Sequence, residues 1–181
     1  PKPPKEEKAS RPPPEPVWLE EDYLPGLEEA LAFPVGVMDD RELAQACYDK
    51  HELVFDVESY GDYFLVVFTS MTTGRVAFYE CEEGAALAPE VRLRMGWVLH
   101  NFTTLGFNSD NYDATMCALA LAGLGTYELK AASDMLIQEK QRPYMVLRSH
   151  KVAALKIDTY DIMEVCPLRG SLKTYAGRVH A

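Results

Sequence analysis

The chain has 181 residues, 48% apolar and 25% charged, which is enough for one domain with a sizeable core plus a tail. No apolar run approaches the ~20 residues that cross a bilayer. The opening Pro1-Lys2-Pro3-Pro4 has no apolar stretch behind it and is not a signal peptide, so a cytoplasmic location is expected, and the missing initiator Met points to a processed or excerpted chain.

The net charge of −10 argues at first against a nucleic-acid partner. The charge is uneven, however. Residues 139–181 hold eight Lys/Arg against four acids, a segment charge of +4 that leaves −14 on the first 138 residues. A basic last third on an acidic body suits a phosphate-facing edge, and equally a solvated face. Cys47, Cys81, Cys117 and Cys166 contain no CxxC pair and sit among apolar neighbours, so they read as reduced core thiols rather than a zinc knuckle. The four histidines are scattered, without an HExxH pattern.

Residues 1–16 contain seven prolines and almost nothing apolar, and are expected to form a disordered or polyproline-like arm. Residues 17–37 are acidic, with interspersed Trp18, Leu19, Tyr23, Leu24, Leu27 and Phe33, and read as an irregular segment packing on the domain or on a partner. The expected organisation is thus an arm over 1–37 and a folded domain over 38–181.

Within the domain, Asp39 or Asp40 caps a helix running to about Lys50. Leu53–Val57 and Tyr63–Ser70 read as strands, and Thr72-Thr73-Gly74 turns the chain into a third strand, Arg75–Cys81. Pro89 opens a helix to about Asn101. Phe102–Phe107 reads as a fourth strand, followed by helices Asn111–Ala122, stopped by Gly123, and Thr126–Glu139. Lys156–Thr159 reads as a fifth strand, and Asp161–Val165 either prolongs it or starts a turn. Ser171–Val179 has helical character. Three antiparallel strands followed by crossover units imply an α/β fold, a mixed sheet flanked by helices. This order resembles the ribonuclease-H-like arrangement.

Two sites carry chemistry. In Phe55-Asp56-Val57-Glu58 the two acids are two residues apart on a strand and project from one face. Paired carboxylates on a buried strand repel and lose solvation, which a divalent metal would offset. The competing reading ends the strand at Asp56 and leaves both acids solvated. In Gly106-Phe-Asn-Ser-Asp-Asn-Tyr-Asp113, Asp113 falls in the first turn of a helix at the carboxyl end of a strand, where α/β sheets bind ligands. There the alternative is an ordinary acid complementing the helix dipole.

Together the two segments resemble the exonuclease domain of family B DNA polymerases and of phage-type 3′–5′ exonucleases, the DEDD group. Val54-Phe-Asp-Val-Glu58 resembles their first motif, and Asn108 through Asp113 their second, Asn-x2–3-(Phe/Tyr)-Asp. Ser171-Leu-Lys-Thr-Tyr-Ala176 is similar to the Lys-x-x-apolar element of protein-primed polymerases in the group. The resemblance spans roughly residues 51–181. It implies Asp56, Glu58 and Asp113 as catalytic residues holding two Mg²⁺ or Mn²⁺ ions for phosphodiester hydrolysis. It also implies that Asn108 holds the terminal nucleotide of a single strand and Lys173 a phosphate. Tyr60 and Tyr112, near the site, could stack on bases or pack in the core. The expected partner is a single-stranded DNA 3′ end, in DNA replication or as a stand-alone nuclease, in a bacterial or phage-infected cytoplasm.

The group requires a fourth carboxylate from a third motif, Tyr-x3-Asp or His-x3–5-Asp, and nothing of that form follows Asp161. Asp158 resembles a non-ligand Asp-Thr element, and Asp161 and Glu164 read as solvated or capping. Three explanations stay open: a fragment of a longer polypeptide, a helix supplied by a second polypeptide such as a polymerase, or a catalytically incomplete module that binds nucleic acid or a replication partner.

Overall fold

The computed structural model describes residues 36–166 and residue 170, all within the unit Val35–Ala181. The arm up to residue 35, and the expected helix over 171–179 with Lys173, lie outside the described residues. The protein is α/β, with a five-stranded mixed sheet flanked by helices. In chain order the elements are α1 (Asp40–Tyr48), β1 (Leu53–Ser59), β2 (Tyr63–Ser70), β3 (Val76–Glu82) and α2 (Pro89–Asn101). They continue with β4 (Thr104–Gly106), α3 (Asp113–Ala122), α4 (Thr126–Ile137), α5 (Pro143–Ser149), β5 (Thr159–Asp161) and α6 (Ile162–Val165).

Local chemistry sets many of these boundaries. Asp39 accepts the Glu42 N–H at 2.8 Å while Glu42 accepts the Asp39 N–H at 2.9 Å, a capping box that starts α1. Pro89 opens α2, where its missing N–H costs no hydrogen bond. Gly123, at φ 96°, ends α3 in the left-handed conformation, its N–H turned back to the Ala120 and Leu119 carbonyls. Ahead of α1, the Met38 N–H donates to the Val76 carbonyl and the Val76 N–H to the Gly36 carbonyl, so the chain enters the domain alongside β3.

The sheet order is β3-β2-β1-β4-β5. The β1–β2 and β2–β3 pairs are antiparallel, whereas β1–β4 and β4–β5 are parallel. Leu53, Phe55 and Val57 of β1 join Phe64, Val66 and Phe68 of β2 and Ala77 and Tyr79 of β3 in the core. Phe55 stacks on Phe68 at 5.9 Å and Phe68 meets Tyr79 edge-on at 6.1 Å, an aromatic row across three strands. The alternate residues Val54, Asp56 and Glu58 are exposed. α3 is apolar almost all round and packs against β1, α2, α4 and α5, as a central helix must. Cys81 and Cys117 are buried and Cys47 and Cys166 half-buried, all as free thiols. No described helix is long and apolar enough to cross a membrane.

Several expectations change. β4 is only three residues long, because Phe102 is taken up capping α2 and packing edge-on against Trp97. β5 lies at Thr159–Asp161, not Lys156–Thr159: it can ladder only where β4 is extended, with Thr104 opposite Thr159 and Gly106 opposite Asp161. The seven-residue α5, started by Pro143, stands where no element was expected.

Gly106, the last residue of β4, permits a close approach that shapes the following loop. A Cβ there would lie 2.5 Å from the Ser109 Cβ, 2.8 Å from its Oγ and 3.2 Å from the Phe55 ring. Gly106→Ala should therefore cost about 1–3 kcal/mol of stability, measured as a lower urea midpoint at unchanged m-value. An unchanged midpoint would show that the loop moves aside freely.

Candidate functional site

β1 runs on past the end of its parallel neighbour. The β1–β4 register pairs only Leu53 with Thr104 and Val54 with Leu105, so the edge of β1 from Phe55 onward has no strand beside it. The chain from β4 turns instead through Phe107–Tyr112 into α3. Asn108 takes φ 60°, its carbonyl accepts the Asn111 and Tyr112 N–H groups, and the Ser109 carbonyl accepts the Ala114 N–H. This turn delays α3 from the expected Asn111 to Asp113. Asp113, 3% exposed, places its Oδ1 2.9 Å from the Val57 N–H and so substitutes a carboxylate for the missing strand.

A cleft of about 380 Å³ opens at this seam, lined by Asp56, Glu58, Asn108, Tyr112 and Asp113 together with Phe107, Ile137, Met163 and Gly170. Its volume is within the ~300–1,000 Å³ range of ligand sites. The paired-acid motif and the Asn108–Asp113 motif, some fifty residues apart in sequence, thus meet in one place. The two readings left open for Asp56 and Glu58 combine here. The strand continues through both acids to Ser59, and both remain exposed on the face opposite the core.

The electrostatics are those of crowded acids. Burial, then the charge of Asp56, push the Asp113 carboxyl up to about 7, against the lowering effect of the Val57 N–H. Desolvation by the cleft walls, followed by the Glu58 charge, raises Asp56. Among the described residues, neither Lys nor Arg lines the cleft. The donor set is all oxygen, which fits a hard divalent cation such as Mg²⁺ or Mn²⁺. Among the described residues, however, no three His, Cys, Asp or Glu side chains converge tightly enough to form a ready metal cage.

The remaining expected residues take different places. Tyr60 is exposed beside Glu58, whose charge raises the phenol pKa. Tyr112 lines the cleft but is half-buried against the core, its hydroxyl 2.9 Å from Ser133 Oγ. The side chain of Asn108 accepts the Asn111 amide at 3.0 Å. Asp158 lies before β5, at its amino end, where its carboxylate accepts the Thr103 hydroxyl at 2.6 Å. Glu164 is exposed.

Asp161 corrects the expectation of a solvated acid. It caps α6 as foreseen, but it is only 7% exposed, at the carboxyl end of β5 beside the Asn108 loop. Sequence reasoning also passed over Ile137 and Met163, which give the cleft its apolar wall. The signal for Asp161 was an acid closing a β-prone run just before Ile162-Met163. Nothing local announced its burial.

Because Asp113 is held up to about 7, the folded chain binds a proton there that the unfolded chain releases near 4. Stability should fall as pH rises from about 4 through 7, by at most roughly 4 kcal/mol at about 1.4 kcal/mol per unit. Asp113→Asn removes this titration while keeping an oxygen for the Val57 N–H. In metal-free buffer its melting temperature should gain on the parent by at least about 4 °C between pH 5 and pH 8. Parallel pH profiles for the two proteins would contradict the raised carboxyl.

Compared with known proteins, the chain matches no family model, and neither curated proteins nor solved structures give a significant match.

Proposed function

We propose that this chain is a metal-dependent 3′–5′ exonuclease domain of ribonuclease-H-like fold, acting on single-stranded DNA. The observation that carries the reading is the meeting of Asp56, Glu58 and Asp113 at one cleft, on the overhang of a central strand and the first turn of the adjoining helix. The sheet order β3-β2-β1-β4-β5, with three antiparallel strands followed by two parallel ones, supports the fold. Three crowded carboxylates, two of them with raised pKa and none with a Lys or Arg beside it in the cleft among the described residues, favour a cation ligand over a solvated or capping role.

Asp56, Glu58 and Asp113 would hold Mg²⁺ or Mn²⁺, two ions in a complete site. A bound ion pair supplies a more acidic water and neutralises charge on the phosphate undergoing displacement. Asp113 enters that work pre-oriented, since its Oδ1 is fixed by a backbone N–H of the same strand that carries Asp56 and Glu58. Asp56 and Glu58 reach the cleft from its solvent side, where a phosphodiester can arrive. Phe107, Tyr112, Ile137 and Met163 offer apolar surface to an unpaired terminal base, and exposed Tyr60 a further stacking face. Asn108 stands at the loop's turn to bond the terminal sugar or base. A nucleic-acid-binding module without catalysis is the second reading, since the apolar wall of the cleft and exposed Tyr60 would serve binding alone.

With Mn²⁺ and a 5′-labelled single-stranded oligonucleotide, the parent should give a ladder shortening from the 3′ end. Asp56→Ala and Asp113→Ala should each lower the rate by about 100-fold or more. Binding of the oligonucleotide with no cleavage in Mg²⁺ or Mn²⁺ would leave the module reading standing. Cleavage unaffected by Asp56→Ala would refute the assignment of the site.

A further inference from the structure

Asp161 is the buried acid that the proposed chemistry does not use. Its carboxylate is spent on backbone. Oδ1 accepts the Asn108 N–H at 2.8 Å and the Met163 N–H at 2.9 Å, and Oδ2 accepts the Asp110 N–H at 3.3 Å. A carboxylate offers about four acceptor positions, so most of its capacity goes to three amides. Two of those amides belong to the turn that carries Asn108, in its left-handed conformation, into Asp113. The third starts α6, whose Met163 lines the cleft. One side chain thus joins the edge strand, the site loop and the apolar wall. Its position is electrostatically adverse, because its charge acts against ionisation of both Asp113 and Asp110. The three N–H dipoles offset that repulsion.

We infer that Asp161 is a positioning residue of the site and not a fourth metal ligand: it clamps the Asn108–Asp110 turn and thereby sets where Asp113 meets Val57. What the positioning serves rests on the function proposed above. An oxygen already bonded to one or two amides is poorly placed to turn toward a cation. Moving it would release the turn that orients Asn108.

The test uses the full chain, with Asp161→Asn and Asp161→Ala beside Asp56→Ala. It reads amide hydrogen exchange without metal and Mn²⁺ affinity by isothermal titration. An asparagine can keep the Oδ1 bonds, but its NH₂ cannot accept from Asp110. Asp161→Asn should therefore speed exchange at Asp110 by about tenfold and leave Asn108, Met163 and the Mn²⁺ affinity within about threefold. Asp161→Ala should speed Asn108, Asp110 and Met163, and also the Val57 amide that reports the seat of Asp113. It should weaken Mn²⁺ about tenfold. Loss of Mn²⁺ binding in Asp161→Asn as complete as in Asp56→Ala, with the amides unchanged, would make Asp161 a ligand and overturn the inference. So would faster turn amides in Asp161→Ala with Val57 unmoved. If Asp161→Ala does not fold, the Asp110 and Mn²⁺ arms of Asp161→Asn decide. If the parent itself binds no Mn²⁺, the metal reading fails, while the Val57 and Asp110 amides still decide for or against the clamp.

Discussion

The bond from the Val57 N–H to Asp113 Oδ1 is the contact on which the site depends. It exists because β4 stops three residues after it starts, while β1 continues beyond it. A buried strand edge cannot be left with unmet donors. A helix that begins beside that edge with an acid in its first turn supplies the acceptor and a favourable dipole together. The same requirement that completes the sheet therefore carries a carboxylate into the cleft next to Asp56 and Glu58. Its cost is an acid held among acids, visible in the raised carboxyls of Asp56 and Asp113.

The rest of the fold keeps this seam rigid. On the core side, Phe55 stacks on Phe68 directly beneath the strand that presents the acids. On the helix side, α3 is buried almost all round, so Asp113 is fixed by the packing of Met116, Cys117 and Leu119 as well as by its own bond. Gly106 lets the loop fold tightly over Ser109, and Asp161 holds the loop from the edge strand. Rigid strands and helices supply the acids, and Asn108, on the loop, is itself pinned at its backbone N–H.

What was legible in sequence follows from what is local. The limits of β2 and α2 coincide with a Val/Phe run and with Pro89, signals that need no partner to act. Strand alternation sets Asp56 and Glu58 on one face, and a strand-to-helix turn sets Asp113 in a first helical turn; that the two segments meet was an expectation of the family resemblance alone, because it depends on β4 pairing with β1. The misses depend on distant partners. β5 was placed three residues early because its position is dictated by the length of β4, and Leu155 and Ile157, which look like strand residues, pack against the core without joining the ladder. α5 was overlooked although Pro143 marks its start, since seven residues with Tyr144 and Met145 exposed show little periodicity. The burial of Asp161 comes from amides more than fifty residues away, which no local pattern encodes.

The division of the sheet into an antiparallel meander and a parallel pair also orders its assembly. The β1–β2 and β2–β3 partners are near neighbours along the chain, joined by short turns. Bringing β4 beside β1 must enclose both hairpins and α2, a far larger loop whose closure entropy is met only once the helices pack. The meander can form early, with its acids already presented on β1. The cleft comes into being only when the parallel half docks. The seam that gathers the carboxylates thus carries a larger closure entropy than either hairpin of the meander.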